Sequence, residues 1–509
     1  MWQKSGSGHR PARPARRGLA RGKWQQWLLI VPLLPLSFLG PQLRLPPPGL
    51  SLGRAQVGEW TAPFNVGVKG IHSDVLPGGK VLLWSYPVGT AGSSAVLLNP
   101  STKTFTDVSM SYRQDAFCSG NDLLPNGEVF VTGGHVYNGT NPAAHEDGKG
   151  IKNTAIFDPA TQTWTPGPPM AQARWYPTNL ELGNGRILIF AGQVDPRHDV
   201  RHVDEYDPSS NTMKTLPATA DKELPEYPRM TLLPDGNVFY DAPSKGTQMF
   251  HPATNTWTWV GNTQFGHSRA EASSILLPGL KKILIVGGRN RVTGPTNTAE
   301  IIDFSKAKPT WHYTGSMTYA RAYANGVLLA DGTVLEVGGG TGTAYKEPVY
   351  RAELYNPRTG TWSTMAAQTA PRIYHSTAVL LPSGQVLSAG TDSGTYQYTA
   401  EIYSPPYLFR GPRPKVSSAP ASVGYGQSFA VSVPGARSIT RVALVKPSGA
   451  THALGQDQRY VDLSFTHVSS SRLSVTSPPD GNHAPPGWYM LFVLNSRGVP
   501  SVARWVQVR

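Results

Sequence analysis

The sequence predicts an all-β protein: a seven-bladed β-propeller followed by a small β-sandwich. Three observations predict it. The 509 residues include 53 Gly and 46 Pro but only 15% charged residues, a composition suited to many short strands joined by tight turns. A strand–turn–strand phrase recurs between Ile71 and Gly390 with no long helical periodicity. After Tyr403 that phrase stops, and shorter alternating strands replace it.

The recurring phrase has seven copies: SDVLPGGKVLLWS from Ser73, NDLLPNGEVFVTGG from Asn121, NLELGNGRILIFAG from Asn179, MTLLPDGNVFYDAP from Met230, SILLPGLKKILIVGG from Ser274, GVLLADGTVLEVGG from Gly326 and AVLLPSGQVLSAG from Ala378. Each reads as an apolar strand, a turn and a second strand. The turn glycines are Gly79, Gly127, Gly185, Gly236, Gly332 and Gly384, with Leu280-Lys281 in the fifth copy. The interval of about 50 residues is that of a kelch blade. Between the copies lie aromatic-x-Pro turns that lead to tryptophan, as in FDPATQTW, FHPATNTW and YNPRTGTW, with YDPSSNTM a weaker copy. These read as outer hairpins, so residues 56–410 are expected to form a seven-bladed kelch-type propeller around a central channel. Ser404–Pro420 is a proline-rich linker. Beyond it SFAVSVP, ITRVALVKP, RLSVTSP and GWYMLFVLNSRG suit an immunoglobulin-like β-sandwich within residues 411–509.

Residues 1–55 are of another kind. Lys4, Arg10, Arg13, Arg16, Arg17, Arg21 and Lys23 precede the apolar run Trp27–Leu39, with no acidic residue among them. A basic segment followed by a short apolar core is the layout of a secretory signal. The run is short for a membrane span, and Pro32 and Pro35 weaken its helix. The chain is therefore expected to be exported, either secreted or attached to the membrane through this segment. The first 26 residues supply seven charges of the net +14. The remaining excess is interleaved with acids, which argues against a nucleic-acid partner. Cys118 is the one cysteine, so no disulfide can form within the chain. A lone thiol in an exported protein must be buried or chemically used.

Three loops that enter blade strands carry reactive residues at one offset: QDAFCSGNDLLPNG with Cys118, ARWYPTNLELGNG with Tyr176, and PRIYHSTAVLLPSG with Tyr374 and His375. Equivalent positions on different blades converge at one mouth of the channel. PSGATHALGQDQRYVDL adds His452 from the C-terminal domain. Taken singly, each has a plain structural reading as core or surface; the coincidence of three loops does not. Adjacent strand residues point to opposite faces, so Tyr374 and His375 can serve one site only on an irregular backbone.

FCSG, ARWYPT, RIYHS and THALGQDQR match in type and order those of the copper radical oxidases. The chain resembles galactose oxidase, glyoxal oxidase and their bacterial relatives from its first blade through its C-terminal domain. ARWYP is closer to the glyoxal oxidase side. The resemblance implies one copper ion held by Tyr176, Tyr374, His375 and His452. It also implies a thioether between Cys118 and Tyr176 that forms a tyrosyl radical cofactor. Tyr176, Cys118 and Tyr374 are then the catalytic residues. The implied reaction takes a primary alcohol or aldehyde, on a small molecule or a glycan, with dioxygen to hydrogen peroxide. Nitrogen and phenolate donors suit tetragonal Cu(II), and a bound cation lowers a tyrosine pKa from its usual value near 10. Copper accepts one electron, so the radical would take the other, and Tyr374 would act as general base.

One feature departs from galactose oxidase. The loop expected to supply a tryptophan over the thioether reads AGQVDPRHDV from Ala191 and has no aromatic residue. Trp175 and Tyr227 are the substitutes considered, and Tyr319, Arg321 and Tyr323 are candidates for the pocket wall. The rival reading is a non-catalytic extracellular propeller that binds a cell-surface glycan or protein. A zinc hydrolase is disfavoured by two tyrosine ligands and the lack of a water-activating glutamate motif.

Overall fold

The computed structural model describes residues 52–89, 91–136, 148–342, 346–392 and 394–509. The basic and apolar N-terminal segment lies outside the described residues, except for its last four positions. Among the described residues no helix is long and apolar enough to cross a membrane.

Each copy of the repeated phrase forms the two inner strands of a four-stranded antiparallel sheet. Among the described residues there are seven such sheets, three of them extended by one or two further strands. The first runs His72–Val75, Val81–Trp84, Ala95–Asn99, Thr104–Asp107, and the second Gly120–Leu123, Val129–Thr132, Thr154–Asp158, Thr163–Pro166. The innermost strands of these two sheets are wholly buried, whereas Thr104–Asp107 is exposed throughout. The turn within the second sheet needs Gly127 at φ +94°, and in the fifth sheet Leu280 takes a left-handed conformation at φ +58°. The seventh sheet holds Ser376–Leu380, Val386–Gly390 and Thr399–Ser404. It is completed by Glu59–Trp60 from the beginning of the described chain, which ties the two ends of the repeat region together.

Neighbouring sheets are joined by hydrogen bonds near their inner strands. Asn121 donates to Asp74 at 2.8 Å, Thr132 to Asn179 at 2.6 Å, Ser273 to Glu336 at 2.8 Å and Asn325 to Ser376 at 3.1 Å. Thr377 of the seventh sheet donates to the Gly70 carbonyl at 3.1 Å, so the circuit returns to the first. This is consistent with seven blades around one axis. At the rim, the tryptophans that follow the aromatic-x-Pro turns donate to the preceding blade: Trp164 to Val108, Trp257 to Ala220 and Trp362 to Gly315, at 2.8–2.9 Å.

A second repeated device anchors the loops that enter the blades. Arg174 pairs with Asp204 at 2.9 Å, Arg269 with Glu300 at 2.7 Å, Arg321 with Glu353 at 2.7 Å and Arg372 with Glu401 at 3.6 Å, all with fully buried side chains. Each arginine also donates to a carbonyl at the end of its sheet's second strand, as Arg321 does to Gly338 at 3.0 Å. Arg321 is thus a buried brace and not part of a pocket wall.

The C-terminal strands form two sheets, one ordered Ser422–Val423, Arg504–Val508, Gly487–Asn495, Ile439–Lys446, Arg459–Leu463, the other Ser428–Ser432, Arg472–Thr476, Phe465–His467. Between Lys446 and Arg459 the hairpin Gly449–Thr451/Leu454–Gln456 leaves the sandwich. It pairs with the innermost strand His72–Val75 of the first blade. Buried Lys446 holds its base, with its ammonium 2.5 Å from Glu181, 3.5 Å from Asp457 and 3.6 Å from Asp122.

Candidate metal centre

The residues that enter the inner strands share a backbone conformation. Five positions before the end of the first strand of each sheet stand Cys118, Tyr176, Tyr227, Glu271, Tyr323 and His375 in sheets two to seven. All six are left-handed, with φ between +45° and +62°. Non-glycine residues rarely adopt this region, and each such residue costs about 1–3 kcal/mol. The shared kink turns each side chain out of the strand alternation and towards the channel mouth.

Tyr374 and His375 reach one place because the seventh loop has one residue more. Arg174, Arg269 and Arg321 stand two positions before Tyr176, Glu271 and Tyr323, but Arg372 stands three before His375. The additional residue is Tyr374. Its ring lies 3.8 Å from that of His375, centroid to centroid, and its hydroxyl is 3.1 Å from the hydroxyl of Tyr176. His452 arrives from the C-terminal hairpin, whose two-residue tip His452-Ala453 has φ +48° and +63°. That turn ordinarily takes Asn-Gly. Here the Arg229 guanidinium supports it, donating to the carbonyls of His452 and Ala453 at 3.4 and 3.5 Å and to that of Tyr227 at 2.7 Å.

Both imidazoles present Nε2. The Thr451 hydroxyl gives its single proton to the Ile71 carbonyl at 2.9 Å, so it accepts from His452 Nδ1 at 2.6 Å. His452 Nε2 is left unprotonated and accepts from the Cys118 thiol, 3.3 Å from Sγ. His375 Nδ1 donates to the Asp392 carboxylate, and His375 Nε2 is buried without a partner among the described residues. Lys69 bridges to Asp392 at 2.9 Å, and the hydrogen bonds from His375 and Lys69 hold that carboxyl down at about 2 against its own burial. An oriented imidazole backed by a carboxylate is the usual support of a metal ligand.

The Cys118, His375 and His452 ligand atoms lie within 4.8 Å of one another. Burial pushes the Cys118 thiol and the Tyr176 hydroxyl well up, and pulls His375 and His452 down. Two imidazole nitrogens and two phenolic oxygens thus face one another, and His375 Nε2 is the one of the two nitrogens that is buried without a partner among the described residues. A buried, orphaned nitrogen calls for a partner. A cation there would also reverse the pressure on the phenols. Two nitrogens and two phenolic oxygens fit copper.

Tyr176, Tyr374 and His452 form one side of a cavity of about 430 Å³. Its walls include Gln193, Asp199, Glu226, Glu271, Arg289 and Arg291. The Trp175 ring lies over Tyr176 with centroids 4.4 Å apart at 31°, whereas Tyr227 meets Tyr176 edge-on at 75° and donates to the Ser119 carbonyl at 2.9 Å. Of the two, Trp175 lies nearer to the Tyr176 ring and less inclined to it. Tyr323 touches Tyr374 edge-on at 5.4 Å, and Tyr319 is solvent-exposed.

Sequence reasoning missed His72, Arg229, Thr451 and Asp392. For two of them a signal existed. Three positions before each inner-strand end, five copies carry Gly120, Thr178, Ser273, Asn325 and Thr377, while the other two carry His72 and Arg229. Large side chains in a column of small ones mark the blades that support the centre.

Comparison with known proteins gives a concordant result. Residues 90–407 match the model of the glyoxal oxidase N-terminus, and residues 413–508 that of the galactose oxidase-like early set domain. A galactose oxidase from Gibberella zeae is 28% identical, covering 98% of this chain and 76% of that protein. The aldehyde oxidase GLOX from Vitis pseudoreticulata is 29% identical over 77% of this chain and 82% of its own. Among solved structures, a fungal alcohol oxidase of the AA5 family in complex with copper superposes with a TM-score of 0.78 at 24% identity. It covers 89% of this chain and 100% of that one.

Proposed function

The chain belongs to the glyoxal oxidase family, and on that premise we propose that it is a copper-dependent oxidase. With one copper ion bound and Cys118 joined to Tyr176 by a thioether, the centre would supply a two-electron oxidant for a primary alcohol or hydrated aldehyde, with dioxygen, giving an aldehyde or acid and hydrogen peroxide.

The chain's own residues have distinct parts in this reading. Tyr176, Tyr374, His375 and His452 would hold the ion. Tyr374, which lines the cavity, would receive the substrate hydroxyl proton at its phenolic oxygen as general base. Asp392 and Thr451 fix the two imidazoles in the tautomer that leaves Nε2 free. Trp175 and Phe117, packed about Cys118 and Tyr176, exclude water. Gln193, Asp199, Glu226 and Arg289 offer hydrogen bonds to the remainder of the substrate. Export is part of the proposal and rests on the basic and apolar N-terminal segment.

The observation that carries the reading is the meeting of the Tyr176 and Tyr374 hydroxyls, 3.1 Å apart, with two histidines whose Nδ1 atoms are already engaged. Purified protein loaded with copper in air, then offered a panel of alcohols and aldehydes, is expected to release hydrogen peroxide and to stop when copper is chelated. Copper-loaded protein with a free Cys118 thiol and no peroxide from any substrate would favour the non-catalytic, glycan-binding propeller.

A further inference from the structure

We propose that His72 is a positioning residue for cofactor formation: its imidazole holds the Cys118 peptide so that the thiol faces Tyr176. This rests on the copper oxidase reading above. His72 Nε2 accepts the backbone N–H of Cys118 at 3.1 Å. A ring nitrogen that accepts is unprotonated, so His72 is the Nδ1–H tautomer. The ring is fully buried and stacked on Trp84, with centroids 4.7 Å apart at 6°. Its strand pairs on both sides, His72 standing opposite Trp84 on one and Thr451 on the other. One residue therefore links the loop that carries Cys118 to the hairpin that carries His452, whose ring is 5.9 Å away.

The clamp acts where the backbone most needs it. Cys118 is left-handed at φ +55°, and its carbonyl accepts from the Tyr176 amide at 2.9 Å. His72 holds the N–H end of Cys118 and Tyr176 holds the carbonyl end. Only rotation about the Cα–Cβ bond is left to aim the sulfur. The column of inner-strand positions agrees: shorter residues serve the sheet in five blades, whereas in the first the longer His72 side chain reaches the Cys118 amide.

Cross-linking forms one bond, from Cys118 Sγ to a ring carbon of Tyr176. It breaks the S–H bond and one ring C–H bond. Two protons and two electrons leave, and dioxygen takes them to become hydrogen peroxide, with copper as the redox catalyst. A bond-forming step between held groups depends steeply on alignment, and a displacement of about 1 Å can slow it about 100-fold. Removing the acceptor should slow thioether formation without removing any ligand of the metal.

The test compares His72→Leu, which fills the space but accepts nothing, with His72→Gln, whose carbonyl reaches the position of Nε2. Copper-free wild type and variants are mixed with copper in air. Thioether formation is followed by the loss of two hydrogens in the linked Cys118–Tyr176 peptides, beside copper stoichiometry and thermal midpoint. The proposal expects His72→Leu to bind copper but to cross-link about 10- to 100-fold more slowly, with His72→Gln near wild type. A His72→Leu rate equal to wild type overturns it, as does a folded, copper-binding His72→Gln as slow as His72→Leu. A wild type that never cross-links overturns the oxidase reading itself. Histidine ¹⁵N shifts of the copper-free wild type give a check independent of variant folding: an Nε2–H tautomer at His72 overturns the proposal.

Discussion

The backbone amide of Tyr176 donates to the carbonyl of Cys118 at 2.9 Å. The two residues from which the cofactor would be built are thus hydrogen-bonded neighbours before any covalent link exists, although 57 intervening positions separate them in the sequence (176 − 118 − 1). The contact joins equivalent left-handed positions of adjacent blades, and the next pair repeats it, the Tyr227 amide donating to the Tyr176 carbonyl at 3.0 Å. What the repeat does not supply is the chemistry, which lies in the choice of cysteine at one position and tyrosine at the next.

Cys118→Ser separates the thioether from everything else in the centre. The substitution removes the sulfur but keeps a small polar side chain, and Cys118 is not among the four proposed ligands. The expected product folds, binds one copper ion and loses nearly all peroxide production, with no cross-linked peptide by mass. Wild-type peroxide release from this variant would sink the radical mechanism.

Asp392→Ala tests the support of His375. The carboxylate takes the Nδ1 proton and is itself held by Lys69. Without it, the ring can rotate or place its proton on Nε2, the atom that would bind the metal. Copper affinity, measured by competition with a chelator, should fall about 10- to 100-fold, while the thermal midpoint of the copper-free protein changes little. Unchanged affinity would show that packing against Phe117, 5.2 Å from the ring, is enough to orient it.

Arg321→Met asks whether a loop residue near the cavity serves structure or substrate. Glu353 would stay buried, accepting from the Thr318 and Tyr319 amides, but would lose its cation. Breaking such a pair from one side costs about 3–5 kcal/mol. The variant should melt well below wild type yet keep its KM at temperatures where it is folded. A raised KM with an unaltered melting temperature would return Arg321 to the pocket.

The blades were legible in the sequence because strand, turn and strand repeat as one phrase, with the turn marked by glycines such as Gly127. The reactive residues were legible because three loops carry them at the same offset. What joins Tyr374 to His375 was not, since one additional residue is visible only when Arg372 is aligned with Arg174, Arg269 and Arg321. The supports were hidden for other reasons. Asp392 and Lys69 reach His375 from 17 and 306 positions away (392 − 375; 375 − 69), and no local pattern encodes that. Arg321 looked like pocket chemistry because a loop arginine beside tyrosines invites that reading. Its partner Glu353 lies on the third strand of the same sheet, where only the fold brings the two together.

The last prediction concerns pH and the copper-free protein. Burial holds His72 down at about 3 and lowers His375 and His452. Unfolded histidines bind protons below about 6.5 that the folded ones do not, so these three groups raise stability as pH rises towards 6.5. Burial raises Asp74 to about 8 and Asp115, Asp241 and Glu336 to about 7. These carboxyls are already ionised in the unfolded chain at neutral pH. The folded chain therefore binds more protons, and its stability falls as pH rises. Below about 6.5 the two sets oppose each other; above it only the carboxyls continue, each contributing a loss of up to about 1.4 kcal/mol per pH unit until it ionises. The thermal midpoint of copper-free protein should accordingly decline between pH 6.5 and about 8.5, as read by scanning calorimetry. A midpoint that stays level over that range would mean that these carboxyls are already ionised in the folded protein.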